Sequence, residues 1–220
     1  RWRNRAVRRR PFHRGEIDLL RTLRAELRRG GEVGPILMRR NASRPRRVIL
    51  LIDVSGSMDA YADALLRLAH VWLRAVPRQV EVFTIGTRLT RVTRSLRARD
   101  AEQALKAAGE EVPDWSGGTR LGEVLQRFLD RWGQRGMARG AVVVIASDGW
   151  ERGDPAALGE QMRRLRAVSH AVVWANPHRG RAAYAPVQGG IVAALPHIDH
   201  FIAGHSLAAF EELIEVIADA

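Results

Sequence analysis

Apolar runs and amphipathic segments alternate along the chain from residue 48 onward. Segments in which nearly every residue is apolar are typical of strands buried on both faces of a sheet, and they occur at 48–52, 141–146 and 170–175. Segments whose apolar residues recur every three or four positions predict helices, and they occur at 59–76, 100–108, 120–132, 155–168 and 207–218. Two further strands are predicted at 80–85 and 88–92, the second of them antiparallel. The alternation predicts an α/β fold with an open, mostly parallel sheet, helices on both faces and one antiparallel edge strand.

The first 47 residues follow a different pattern. Residues 1–15 predict a coil, and 16–29 predict a short amphipathic helix that ends at Gly30-Gly31. The apolar stripe of this helix consists of Ile17, Leu20, Leu23 and Leu27. We therefore expect two parts, a basic N-terminal arm at 1–47 and a folded domain at 48–220.

The net charge of the chain is concentrated in this arm. Residues 1–47 contain 16 arginines and 4 acidic residues, whereas the remainder has 20 basic and 20 acidic residues, so the arm carries the whole net charge of +12. Such an arm suggests a nucleic acid, an anionic membrane surface or an acidic protein as partner, although a solvated tether would have the same composition. The chain has no cysteine, which excludes disulfides and Cys-ligated metals. No apolar run approaches the roughly 18 residues of a membrane span, and no signal peptide is visible, so we expect a cytoplasmic protein.

Oxygen-bearing side chains follow the predicted strands of the domain. Asp53-Val54-Ser55-Gly56-Ser57 comes directly after the first buried strand, and Ser147-Asp148-Gly149 follows another. Between them, Ser116-Gly117-Gly118-Thr119 precedes a predicted helix. Because ligands of parallel α/β sheets bind at the carboxyl ends of strands, we expect these side chains to converge there. Carboxylates and hydroxyls suit a hard cation, Mg²⁺ (or Mn²⁺), better than zinc. The candidate ligands are Asp53, Ser55, Ser57, Thr119 and Asp148.

Sequence signals for catalysis are missing. No Walker-type phosphate loop, no G-x-G-x-x-G and no nucleophile elbow is present. A phosphotransferase with an aspartyl nucleophile would need a second aspartate two residues after Asp53, where Ser55 stands. The spacing of His197, His200 and His205 matches no common zinc pattern. We therefore expect no enzymatic activity.

Two further features have more than one interpretation. Trp115 and Trp150 flank the candidate metal loops and are compatible with an apolar rim for a partner or with simple loop packing. The stretch 176–196 is predicted to be a long loop, which could form a surface beside the metal or act as a spacer.

The candidate ligand set resembles the metal-ion-dependent adhesion site of von Willebrand factor A (VWA) domains. The resemblance implies a Rossmann-like VWA fold in which Ser55, Ser57 and Thr119 bind the metal directly and Asp53 and Asp148 hold it through water. An acidic residue of a partner would then complete the coordination. Other stretches resemble one bacterial branch, the CoxE-like proteins: Gly118-Thr119-Arg120-Leu121-Gly122, Ser147-Asp148-Gly149-Trp150-Glu151-Arg152-Gly153-Asp154-Pro155, Trp174-Ala175-Asn176-Pro177 and Ala194-Leu195-Pro196-His197-Ile198-Asp199.

This likeness implies a non-catalytic accessory protein. It would work with a MoxR-type AAA+ ATPase in the maturation of a molybdenum enzyme such as carbon monoxide dehydrogenase. The alternative is a protein that binds nucleic acid or another anionic surface through its Arg-rich arm. Metal dependence of partner binding would discriminate between the two.

Overall fold

The chain forms two compact units, Arg1–Pro45 and Arg46–Ala220. The computed structural model describes residues 5–30, 32–113, 115, 117–179, 189–204 and 207–219, with backbone alone at 5–8, 42–44 and 207. The unit boundary lies two residues before the predicted start of the domain. Arg47 belongs to the second unit, because its carbonyl accepts a hydrogen bond from the Val142 N–H (2.9 Å) and its guanidinium donates to the Met137 carbonyl (3.1 Å).

The first unit is a small antiparallel sheet with one helix. Its strands are β1 (Arg5–Phe12), β2 (Glu16–Ile17) and β3 (Met38–Pro45), in the order β1-β3-β2. The predicted coil is therefore wrong over the length of β1, and the strand β3 was not anticipated. Arginine occupies four of the eight positions of β1 and three of the eight positions of β3, and neither strand shows the apolar alternation by which a half-buried strand is recognised.

Helix α1 (Leu19–Arg28) begins at Asp18, whose carboxylate accepts a hydrogen bond from the Arg21 N–H at 3.3 Å. The buried residue of α1 is Thr22, whose hydroxyl donates to the Asp18 carbonyl and accepts from the Leu37 N–H, both at 3.0 Å. The predicted apolar stripe is exposed. Hydrogen bonding at Thr22, rather than burial of the leucines, therefore ties α1 to the segment that leads into β3.

The second unit contains a six-stranded sheet. Its strands are β4 (Val48–Asp53), β5 (Val80–Ile85), β6 (Leu89–Arg91), β7 (Val142–Ala146), β8 (Ala171–Asn176) and β9 (His200–Ala203). They lie in the order β6-β5-β4-β7-β8-β9, and all neighbouring pairs are parallel except β5 with the edge strand β6. The predicted fold class, with its single antiparallel edge strand, is confirmed.

Helices cover this sheet in two groups. They are α2 (Asp59–Ala75), α3 (Ala101–Glu111), α4 (Leu121–Phe128), α5 (Pro155–Val168), α6 (Gly189–Ala194) and α7 (Leu207–Asp219). Helix α2 contacts β4, β5 and α3, whereas α4 contacts α5, and α5 contacts β8 and α6. Ile49 and Leu51 of β4 are fully buried in one cluster with Phe128 of α4 and Leu165 of α5. Alternate positions of the strands thus pack under different helical layers.

Three parts of the second unit differ from the prediction. Strand β9 was missed because it is short and half-exposed, and its order comes from pairing with β8. Helix α6 lies in the predicted loop 176–196, of which 180–188 is outside the described residues. The predicted helix 120–132 is divided into α4 and a π-helical turn, Leu129–Met137, that ends around Gly136 with φ +114°. Within the described ranges, no helix has both the length and the apolar character needed to cross a membrane.

We predict that residues 46–220 fold without the first unit. All members of the buried cluster that joins β4, α4 and α5 lie in the second unit, so the deletion of 1–45 removes none of them. The melting temperature should change by less than about 4 °C, which corresponds to about 1 kcal/mol for a unit of this size. Circular dichroism during thermal unfolding measures this. Aggregation of the truncated chain, or loss of a cooperative transition, would contradict the prediction.

Candidate metal centre

The candidate site lies at the carboxyl ends of the two central strands. Asp53 is the last residue of β4, and Asp148 follows the end of β7 by two residues. The chain passes from β4 to β5 on one side and later returns to β7 on the other side. This reversal of strand order opens a crevice between the ends of β4 and β7, which is where open α/β sheets bind ligands.

The Asp53 carboxylate is the centre of the hydrogen-bond network. The residue is 0% exposed. Its Oδ1 accepts hydrogen bonds from the Ser55 N–H (2.9 Å) and the Thr119 hydroxyl (2.8 Å), and its Oδ2 accepts one from the Ser147 hydroxyl (2.6 Å). The donors come from three separate segments, so one carboxylate joins the loop after β4, the loop before α4 and the end of β7.

Burial dominates the electrostatics of this carboxylate. It raises the pKa of Asp53 above the ordinary value of 3.8, and the hydrogen bonds from Ser147, Ser55 and Thr119 act in the opposite direction without reversing the shift. The protein dipoles alone therefore do not fully compensate the negative charge. A divalent cation next to the carboxylate would compensate it, because an opposite charge favours the ionised form.

Three hydroxyls face a pocket of about 260 Å³ beside Asp53. Ser55 precedes the 3₁₀ turn Gly56–Met58, and its Oγ lies 3.3 Å from the Oγ of Ser57 within that turn. Thr119 is buried immediately before α4. Ser116, named with Thr119 in the sequence, lies outside the described residues. The lining residues are Ser55, Gly56, Ser57, Gly117, Gly118, Thr119, Trp150 and Arg152.

Asp148 is held by its own loop. Its Oδ1 accepts a hydrogen bond from the Trp150 N–H (3.0 Å), and its Oδ2 lies 4.0 Å from His178 Nε2. Its carbonyl accepts from the Asn176 side-chain amide at 3.0 Å, and the carbonyl oxygen of that amide accepts from the His178 N–H at 2.8 Å. The structure thus joins Asp53, Ser55, Ser57 and Thr119 in one network and places Asp148 on the adjacent strand end without a direct hydrogen bond to them.

The loop after Asp148 is fastened to the start of α4. Glu151 accepts hydrogen bonds from the Gly122 N–H (2.8 Å) and the Gly153 N–H (2.6 Å), and the Arg152 N–H donates to the Thr119 carbonyl at 3.3 Å. A carboxylate at the first turn of a helix is stabilised by the helix dipole. Thr119 is therefore held through its side chain by Asp53 and through its carbonyl by the loop after β7.

The donor set at this edge fits a hard divalent cation. It combines two carboxylates with three hydroxyls, and Mg²⁺ prefers oxygen ligands while it retains several waters. The described residues contain no cluster of three or more His, Cys, Asp or Glu side chains suited to a metal ion, so a nitrogen- or sulfur-rich centre has no counterpart within them. The residues present fit the magnesium site that the sequence predicts.

The sequence profile of a family described as "VWA domain containing CoxE-like protein" matches residues 1–210. The chain belongs to this family. The match includes the first unit, so the small basic sheet lies within the region that the family profile covers. Among curated proteins, none has a sequence that matches the chain.

Solved structures show the same fold in distant proteins. Proximal thread matrix protein 1 from the mussel byssus superposes with a TM-score of 0.53 at 16% identity, over 79% of this chain and 47% of that one. A second structure of the mussel protein is described as having a zinc-occupied MIDAS motif. It superposes with a TM-score of 0.51 at 15% identity, over 79% of this chain and 44% of that one. An aerotolerance-related membrane protein from Bacteroides fragilis gives a TM-score of 0.51 at 12% identity, with 79% and 98% coverage.

The similarity to the mussel structures covers only part of those chains. This chain spans less than half the length of the mussel structures, and the identities are low. These similarities therefore show the fold alone. They agree with the six-stranded sheet, and the mussel protein shows that a metal occupies the MIDAS of one VWA neighbour.

Three residues of the CoxE-like site were not singled out from the sequence. Ser147 donates to Asp53, Asn176 holds the Asp148 backbone, and His178 lies beside the Asp148 carboxylate. Ser147 and Asn176 are polar residues at the carboxyl ends of buried strands, which is the signal that identified Asp53 and Asp148. No comparable signal marks His178, because its position depends on the turn that follows β8.

The two tryptophans beside the candidate metal loops have different environments. The Trp115 indole N–H donates to the Asp59 carboxylate at 2.7 Å, so this side chain fastens its loop to the first turn of α2. Trp150 is 66% exposed and lines the pocket. Of the histidines considered as a second site, His197 lies in a 3₁₀ turn, His200 in β9 and His205 outside the described residues.

A larger cavity of about 520 Å³ lies away from the candidate metal loops. It is lined by residues of the edge strand β6 and of the π-helical turn: Arg88, Leu89, Arg127, Asp130, Arg131, Trp132 and Arg135. It contains none of the candidate ligands. Size therefore does not identify the chemically relevant cavity of this protein.

We predict that Gly149→Ala destabilises the protein by about 1–3 kcal/mol. Gly149 has φ +83°, and a Cβ there would lie 2.9 Å from the Cβ of Ile191 in α6. The matched control is Gly109→Ala in α3, where a Cβ would meet nothing within 4 Å and where alanine should stabilise the helix by roughly 0.5–1 kcal/mol. Urea unfolding followed by tryptophan fluorescence gives both values. Equal effects of the two substitutions would show that the Gly149 turn is not constrained.

Proposed function

We propose that the protein is a non-catalytic VWA accessory protein that binds one Mg²⁺ (or Mn²⁺) and uses it to dock an acidic residue of a partner. The observation that carries the proposal is the gathering of the Ser55, Ser57 and Thr119 hydroxyls beside the buried Asp53 carboxylate at one pocket. These three hydroxyls would bind the metal directly. Asp53 and Asp148 would hold it through water.

The charge balance of this ligand set favours docking over hydrolysis. The direct ligands are neutral, and the two carboxylates are separated from the metal by water, so the charge of the ion stays poorly screened toward the pocket opening. An external Asp or Glu completes such a site. His178 lies beside Asp148 and is not among the residues that line the pocket, and the described lining residues include no histidine or carboxylate that could act as a general base.

Membership of the CoxE-like family supports the choice of partner. We propose that the protein acts in the cytoplasm with a MoxR-type AAA+ ATPase in the maturation of a molybdenum enzyme such as carbon monoxide dehydrogenase. The acidic residue that completes the metal site would belong to the ATPase or to the enzyme being matured. The pocket at the ends of β4 and β7 would be the contact point.

We predict one Mg²⁺ site per chain, measured by isothermal titration calorimetry. Asp148→Asn should weaken Mg²⁺ binding about 10- to 100-fold, which is typical for the loss of an outer-sphere carboxylate. The matched control is Asp130→Asn, which removes an equal charge from the exposed π-helical turn after α4, where Asp130 pairs with Arg164 at 2.8 Å. This control should bind Mg²⁺ like the wild type. Unchanged affinity of the Asp148 variant would show that the ligands are misassigned.

A second candidate function follows from the first unit. Residues 1–45 contain fourteen arginines and four acidic residues. Arg10 and Arg40 are exposed and lie directly opposite each other in the β1–β3 register, and the Arg40 guanidinium lies 3.6 Å from the centroid of the Phe12 ring. Like charges in opposite positions destabilise a strand pair. A nucleic acid or another anionic surface bound across them would remove that repulsion.

We predict that binding to a purified MoxR-type AAA+ ATPase from the same cell requires divalent metal. It should be lost in excess EDTA and in Ser57→Ala, an exposed position whose substitution removes one hydroxyl ligand. The control is the double variant Arg10→Gln, Arg40→Gln, which should bind the ATPase like the wild type. Surface plasmon resonance with and without EDTA measures both. Binding that persists in EDTA but disappears in the double arginine variant would favour the second candidate and contradict the first.

A further inference from the structure

Among the described residues that line the candidate metal pocket, Arg152 is the one with a cationic side chain. Arg152 lies in the loop after β7, and its backbone N–H donates to the carbonyl of Thr119. Its guanidinium packs on Gly118, since a Cβ placed on Gly118 would lie 2.5 Å from Arg152 Cζ and from one of the guanidinium nitrogens. The absence of a side chain at Gly118 therefore leaves the space that this guanidinium occupies next to Thr119.

Arg152 has no carboxylate partner among the residues that the structure describes. The nearest acidic residue in the sequence, Glu151, forms no ion pair with it, and the two oxygens of Glu151 accept hydrogen bonds from the Gly122 and Gly153 N–H groups. Other arginines of the second unit do form ion pairs, such as Arg67 with Asp63 and Glu102. The Arg152 guanidinium is thus available to a ligand of the pocket.

A guanidinium beside a cation site is unfavourable unless an anion lies between them. With a divalent ion, the charges of Asp53 and Asp148 cancel the charge of the metal, and Arg152 leaves the pocket with one positive charge. One carboxylate neutralises this charge. A phosphate dianion would overcompensate it, so the charge balance favours a carboxylate.

The exposed Trp150 ring forms another part of the same wall. Its indole presents an apolar surface beside the charged group, and such a surface suits the aliphatic part of a side chain or an apolar neighbour of the acidic residue. The pocket therefore combines a metal, a guanidinium and an apolar ring, which fits an acidic residue that is flanked by apolar residues.

We propose that Arg152 is a specificity-determining residue that binds the partner's acidic side chain together with the metal. One carboxylate oxygen would complete the metal coordination, and the other would accept a hydrogen bond from the Arg152 guanidinium, while Trp150 contacts the flanking apolar residue. This inference rests on the proposed metal-dependent docking and adds the chemistry of the partner, a peptide segment with an acidic residue between apolar ones.

The experiment uses the full chain and a defined probe, the peptide acetyl-Leu-Asp-Leu-amide, with its Asn counterpart as control. Binding is followed by ¹⁵N NMR of the six tryptophan indole N–H groups. The chemical shift of the Trp150 indole signal should change when the peptide binds. Mg²⁺ affinity is measured separately by calorimetry. The variants are Arg152→Gln, Arg152→Lys and the charge-matched control Arg78→Gln, which lies just before the amino end of β5, at the opposite edge of the sheet.

We expect Arg152→Gln to weaken the peptide at least about tenfold, because a hydrogen bond to a charged group is lost. Its Mg²⁺ affinity should stay equal or increase, since a like charge is removed from beside the ion. The peptide affinity of Arg152→Lys should be intermediate, because lysine keeps the positive charge but lacks the planar guanidinium with its several N–H donors. Arg78→Gln should match the wild type in both measurements.

Other results would overturn the inference. Unchanged peptide binding in Arg152→Gln would show that the metal alone docks the carboxylate, which leaves the proposed function intact. Parallel loss of Mg²⁺ and peptide binding would show a structural role for Arg152. Tighter binding of inorganic phosphate than of the peptide would contradict the assignment of a carboxylate, as would a wild type that binds Mg²⁺ but not the peptide. Absence of Mg²⁺ binding in the wild type would instead contradict the proposed function itself.

Discussion

A buried carboxylate determines how this site is assembled. Asp53 is fully enclosed, and an ionised group in such a position is costly unless donors surround it. Its donors are Ser55, Thr119 and Ser147, which lie on three segments that are far apart in the sequence. The folded state can satisfy Asp53 only if these segments meet. The network that positions the candidate metal ligands is therefore also a condition for closing this edge of the domain.

Close backbone packing between α6 and the loop after β7 supports the same edge of the sheet. Gly149 turns the chain with φ +83°, and a Cβ on Gly190 would lie 2.5 Å from the Gly149 carbonyl, so α6 approaches the loop after β7 at backbone distance. Glu151 and Arg152 then connect this loop to the start of α4. The loop that carries Asp148 is thus fixed on two sides, and such fixation would limit the rearrangement that metal binding at this site requires.

The parts predictable from the sequence are those with strong burial. Strands β4, β7 and β8 are recognisable as apolar runs, and the polar residues at their ends, Asp53 and Asp148, follow from the placement of ligands in parallel sheets. Strands β1 and β3 are not recognisable from the sequence. Cross-strand backbone hydrogen bonds hold them together, and their arginines are not arranged in an apolar–polar alternation. The role of His178 depends on tertiary placement, which no local pattern reveals.

The remaining question for the site is why its charges have this arrangement. If the two carboxylates bound the metal directly, the ion would be neutralised within the protein and an external acid would gain little. Hydroxyls as direct ligands would instead leave the charge of the ion directed toward the pocket, where Arg152 would add to it. With the ion in place, Asp53 and Asp148 would balance its charge only across water, and the charge of Arg152 would remain, because Glu151 is occupied by backbone N–H groups. In the docking that we propose, an acidic residue of the partner would complete that balance, and a site built in this way needs no group that transfers a proton.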